Sequence, residues 1–258
     1  MNAQPVLITG ASGGIGADLA RIFAKAGHPL ALAARNRQAM EILAAELGNP
    51  GGQKPLIVAL GLTLPDAPGQ LAEALAAASF EPAILVNNAG YGMNGRVSRL
   101  DPAGQLGIID LNIRSLTALT LIFLPSIEKS KGRILNVAST AAFLPGPGMA
   151  VYYASKAYVL SFSQALAQEM ANKNVTVTAL CPGPTATGFF DRVGGYTAKL
   201  KSFGMMDSMT VAQAGFDGLM AGRRVVVPGA MNKLMTSLMP FVPRQVLLPI
   251  MARLQLGK

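Results

Sequence analysis

Val6-Leu7-Ile8-Thr9-Gly10-Ala11-Ser12-Gly13-Gly14-Ile15-Gly16 decides the fold. An apolar, β-branched run breaks into a glycine-rich turn, and an Ala/Leu-rich helical pattern follows without a gap. Glycines let the backbone turn tightly and approach a pyrophosphate. The helix start supplies unpaired N–H groups and the positive end of a dipole. A glycine cluster by itself is only a tight turn. Placed after the first strand and opening the first helix, it has the context of a dinucleotide site. Gly10, Ser12, Gly14, Ile15 and Gly16 are therefore candidate cofactor residues.

The same alternation continues outward along the chain. Short apolar runs at Val6–Thr9, Leu30–Ala33, Leu56–Leu60, Ile84–Asn87, Arg133–Ala138, Val175–Cys181 and Arg224–Val227 read as strands. Between them, Gly14–Ala26, Arg37–Leu47, Gln70–Ala78, Gln105–Phe123 and Val151–Ala171 read as helices. Strand and helix in regular turn imply an α/β fold: a single-domain, Rossmann-like, doubly wound parallel sheet of about seven strands with helices on both faces. No internal repeat or low-complexity linker divides the chain, so residues 1–258 are expected to form one domain.

Composition narrows the function. Hydrophobic residues make up 51% of the 258, enough for a large core. One cysteine, Cys181, allows no internal disulfide, and no signal peptide is seen at the N-terminus; both suit a cytoplasmic location. Cys181 sits in an apolar run and reads as a buried small hydrophobe. His28 is the one histidine, so the cluster a metal site needs is missing and no metal is expected. The net charge is +9, and six of those nine charges follow Asp217 with no acid among them. The aromatic interleaving of a nucleic-acid groove is not seen there.

Tyr152-Tyr153-Ala154-Ser155-Lys156 places a phenol and an ammonium one helical turn apart on one face. A lysine charge about 4 Å from a phenol, at an effective dielectric near 20, is worth roughly 4 kcal/mol, or about three pK units. That is the tuning a general acid/base needs near neutral pH. With Thr9-Gly10-x-x-x-Gly14-x-Gly16, Asn87-Asn88-Ala89-Gly90, Asn112, Ser139 thirteen residues before Tyr152, and Pro182-Gly183 followed by Thr187, the chain resembles the short-chain dehydrogenase/reductase family from about residue 5 to 190.

That resemblance implies reversible hydride transfer between a nicotinamide and a carbonyl or alcohol. It makes Tyr152 the proton donor and acceptor, with Lys156 lowering its pKa and holding the nicotinamide ribose. Ser139 would hold the substrate oxygen, and Asn112 would interrupt its helix to seat a relay water. Asn88, Ala89, Gly90, Pro182, Gly183 and Thr187 would line the cofactor. Tyr153 also lies on the lysine side, but the spacing selects Tyr152. The family also implies a homodimer or homotetramer, built on the long fourth and fifth helices.

The second strand ends Ala33-Ala34-Arg35. An acid here would bind a ribose 2′-hydroxyl, whereas Ala34 removes it and Arg35 offers a guanidinium to a 2′-phosphate. NADP(H) is expected over NAD(H). Gly61 or Leu62 stands where the family carries an adenine-contacting acid. Tyr91, Phe143, Met149 and Phe189, with Ser139, are the candidate substrate residues, and residues 188–209, with Gly194, Gly195 and Gly204 as hinges, form a candidate lid. A small hydrophobic carbonyl or alcohol suits them. The apolar, basic tail 231–258 is open to three readings: packing on the sheet edge or a partner subunit, peripheral contact with an anionic membrane, or cover for the pocket. The alternative to an enzyme is a non-catalytic dinucleotide sensor or interaction protein on the same fold.

Overall fold

The computed structural model describes residues 3–189, 193 and 205–256, the side chain at 254 aside. Seven strands form one parallel sheet in the order β3-β2-β1-β4-β5-β6-β7. They are β1 Val6–Thr9, β2 Leu30–Ala34, β3 Leu56–Ala59, β4 Ile84–Asn87, β5 Arg133–Val137, β6 Thr176–Leu180 and β7 Val225–Val226. β1 lies at the centre, with Ile8 level with Leu32 of β2 and with Val86 of β4. The winding reverses between β1 and β4, which opens a crevice at their carboxyl ends.

Side chains alternate across the sheet and sort into two cores. Val6, Ile8, Leu32 and Val86 face one layer with α1 (Gly14–Lys25), α2 (Arg37–Leu47) and α7 (Ser208–Met220). Leu7, Ala31, Leu85 and Ile134 face the other with α3 (Ala67–Ala77), α5 (Leu116–Lys129) and α6 (Ala150–Glu169). The strands read as unbroken apolar runs because both faces are covered.

Three elements differ from the sequence reading. The third helix starts at Ala67 rather than Gln70, because Pro68 sits in its first turn, where a missing N–H is harmless. The fourth helical run extends from Pro102 to Lys129: α4 (Pro102–Ile109), a π-wound stretch Asp110–Ser115, then α5. Pro125 does not end it. The carbonyl it leaves unbonded, on Leu121, lies beside a solvent-exposed side chain, where water can serve as partner. The tail carries two helices, α8 (Ala230–Leu238) and α9 (Arg244–Leu256), separated near Pro240 and Pro243.

Candidate active site

The glycine turn is locked to the end of β4. Thr9 Oγ1 donates to Val86 O at 3.2 Å and accepts from the N–H groups of Asn88 and Ala89 at 3.0 and 3.1 Å. Asn88 Nδ2 donates back to Thr9 O and Gly10 O. Gly10 has φ +66° and lies so close that a Cβ there would sit 2.9 Å from Ala89 Cα. A Cβ at Gly14 (φ +53°) would sit 2.9 Å from Thr187 Cγ2, so the segment after β6 lies over the turn. A Cβ at Gly16 would strike Asn88 and the Gly10 carbonyl. Gly13 differs: a Cβ there would meet nothing within 4 Å. The α1 N-terminus has no side-chain cap and no acid in its first turn. Its N–H groups and dipole thus remain available to a phosphate, and these residues fit a dinucleotide.

Farther out along the crevice, Ala34 is buried and Arg35 is exposed, with no ion pair among the described residues. Gly61 follows β3 beside the Arg35 stem. On the opposite side, Asn232 of α8 lies against Gly183. The Thr140 N–H donates to the Pro182 carbonyl at 2.9 Å, tying the β5 and β6 ends together.

Tyr152 and Lys156 lie one turn apart on α6, both buried. The Lys156 ammonium stands over the Tyr152 ring, 5.8 Å from its centroid, and donates to Val137 O at 2.7 Å. Burial lowers its pKa from 10.5 to about 8. Cys181, close enough to feel that charge, is itself pushed up to about 12 by burial, the behaviour of a core thiol rather than a nucleophile. Gly90 brings two elements together: a Cβ there would sit 3.0 Å from Asn112 Oδ1 and 3.4 Å from Lys156 Nζ.

Asn112 is buried in the π-wound stretch, where the helix widens. Its Oδ1 accepts from Tyr91 N at 3.1 Å, and its Nδ2 donates to Tyr91 O and Ser155 Oγ at 3.0 Å each. Stretches of this kind recur at functional sites. Ser139 follows β5 and caps the turn Thr140–Phe143, its Oγ accepting from Ala141 N at 3.1 Å.

The candidate substrate residues separate into groups. Met149 and Phe189 pack with Tyr152 and Tyr153, Phe189 at 5.4 Å between ring centroids. Phe143 instead packs with Leu116, Val159 and Cys181 on the β5–β6 side. The Tyr91 hydroxyl donates to Gly104 O at 2.7 Å, and burial raises its pKa. Of the lid, residues 190–192 and 194–204, including the three hinge glycines, lie outside the described residues.

Three wall residues come from the tail. Met251 packs on the Tyr152 cluster, Gln255 Nε2 donates to the Tyr153 hydroxyl at 2.5 Å, and Leu256 lies against Gly148 (φ +90°). No local signal singles out Gln255, which shares Met251-Ala252-Arg253-Leu254-Gln255-Leu256 with a second polar residue, Arg253.

Fold, crevice and buried Tyr–Lys pair together define a doubly wound dinucleotide-binding protein with the groups for proton transfer. A family model for short chain dehydrogenases matches residues 4–194. Serine 3-dehydrogenase of Agrobacterium fabrum is 36% identical over 197 residues, 74% of this chain and 76% of that one. A short-chain dehydrogenase from Sphingobium yanoikuyae in complex with NADPH aligns with a TM-score of 0.79 at 31% identity, over 93% of this chain and 96% of that one. A 3-ketoacyl-(acyl-carrier-protein) reductase from Brucella melitensis complexed with NADH gives 0.76 at 28% identity, over 88% and 97%. The chain belongs to the short-chain dehydrogenase/reductase family, nicotinamide-dependent oxidoreductases.

Proposed function

We propose that the chain interconverts a small hydrophobic ketone or aldehyde and its alcohol, with NADP(H) preferred over NAD(H). The observation that carries this reading is the buried Tyr152 phenol with the Lys156 ammonium over its ring. The nicotinamide supplies or accepts the hydride when bound. Tyr152 gives a proton to the substrate oxygen in reduction and takes it back in oxidation. The Lys156 charge favours the phenolate and so makes that exchange possible near neutral pH. Ser139 donates to the same oxygen and positions it. Asn112 holds the loop after β4 against the site and seats the water that returns the proton. Met149 and Phe189 exclude water from the reacting oxygen and favour an apolar substrate.

Gly10, Ser12, Gly14, Ile15, Gly16, Asn88, Ala89, Gly90, Pro182, Gly183 and Thr187 line the crevice for the dinucleotide. Arg35 takes the 2′-phosphate. Residues 188–209 close over the substrate. The outer face of the 102–129 helix, where Leu106 and Leu121 are exposed, pairs with a second copy to form a homodimer or a larger homo-oligomer.

Purified protein mixed with NADPH and a panel of hydrophobic ketones and aldehydes tests the reading. Turnover is expected on part of the panel, and Tyr152→Phe is expected to lower it at least about a hundredfold. Cofactor binding, followed by nicotinamide fluorescence, should survive the substitution. Tight binding with no turnover across the panel would favour the dinucleotide sensor.

A further inference from the structure

Helix α8 is amphipathic with its faces reversed. Its inward residues are polar: Asn232 lies on Gly183 and donates to Pro228 O at 2.8 Å, and Thr236 is buried. Its outward residues are Met231, Leu234, Met235 and Leu238, spaced i, i+3, i+4, i+7 and between 45% and 68% exposed. Phe241, at the turn into α9, is 82% exposed. Scattered exposed apolar residues are ordinary, but a full helical stripe marks a surface that something covers.

Charge identifies the cover. No acidic side chain follows Asp217. Arg223, Lys233, Arg244 and Arg253 are exposed and make no ion pair among the described residues. A second copy placed on this face would bring the same cations, and they would repel. An anionic lipid surface supplies both the counter-charge and an apolar layer beneath it.

We propose that α8 and its turn into α9 dock the protein on an anionic bilayer. Leu234, Leu238 and Phe241 enter the acyl boundary, and Lys233, Arg244 and Arg253 meet the lipid phosphates. The docking goes beyond the oxidoreductase reading and stands without it.

Cosedimentation with vesicles tests it. The protein is expected to pellet with phosphatidylcholine vesicles holding about 30% phosphatidylglycerol, and about tenfold less with phosphatidylcholine alone. About 0.5 M salt should release it, because the interaction is then screened within a few ångströms. The double variant Leu234→Glu with Phe241→Glu should lose binding about tenfold or more with an unchanged melting curve. Lys233→Gln with Arg244→Gln, both exposed positions, gives a second test should the first variant fold poorly, and should weaken binding to the anionic vesicles severalfold. No pelleting with the anionic vesicles, or equal pelleting with both kinds, overturns the proposal. So does a fall in mass by light scattering in the Glu variant, which would show a second copy covering the stripe.

Discussion

Lys156 buries an ammonium that donates to the Val137 carbonyl. Burial holds its pKa at about 8 against 10.5 for the free group. Between those values the unfolded chain keeps a proton that the folded chain has released, so stability rises with pH across that window. Below pH 8 the folded state carries the whole penalty, on the order of 3 kcal/mol; above 10.5 it carries none. Lys156→Met should therefore raise the melting temperature of the cofactor-free protein at pH 7 by about 5 °C. Scans repeated at higher pH should show that gain shrinking from pH 8 to 10.5. A gain that stays constant across the window would mean the lysine is not strained by burial.

Arg35 stands farther out along the crevice. Its side chain is exposed at the carboxyl end of β2, with Ala34 buried beside it. Replacing Ala34 with Asp and Arg35 with Ala restores the ribose-binding acid and removes the guanidinium. The ratio of kcat/KM for NADPH to that for NADH should reverse, by about a hundredfold in all. A ratio that does not move would remove Arg35 from cofactor selection.

At the scale of elements, the π-wound stretch Asp110–Ser115 is a device for placing one amide. Asn112 makes three hydrogen bonds there, two of them to the backbone of Tyr91. Asn112→Ala leaves the part-buried Tyr91 N–H and C=O without their partner. Denaturant unfolding should show a loss of about 3 kcal/mol, in addition to any effect on turnover. A loss below about 1 kcal/mol would show that water or a backbone shift replaces the amide. The position of Asn112 was legible in the sequence; its clasp on Tyr91 was not, because those residues are twenty-one apart and meet only through tertiary packing. The strands were legible because a sheet covered on both faces needs continuous apolar runs. The ends of helices were less so: the bounds read at Gln70 and Phe123 leave out Pro68 and Pro125, yet both prolines lie inside helices, each where the lost N–H costs little. Cover for the pocket was one of the readings the sequence left open for the tail, but Gln255 and Leu256 as its contacts were not legible, since no local pattern records where a distant helix docks.

Across the whole molecule, the two sides of the tail face different surroundings. The stripe from Met231 to Leu238 faces outward, while Met251 and Gln255 on α9 close on Tyr152 and Tyr153. Whatever holds the outer side of α8 therefore sits one short turn before the helix that shapes the pocket. The β1–β4 junction has a consequence of another kind. Thr9 and Asn88 are 79 residues apart, and their hydrogen bonds close a loop that holds β2, β3 and three helices. Closing so long a loop costs chain entropy, and non-local pairing of this kind slows folding. A molecule bound across the crevice acts as a staple that holds this loop shut and shifts the balance away from the open chain.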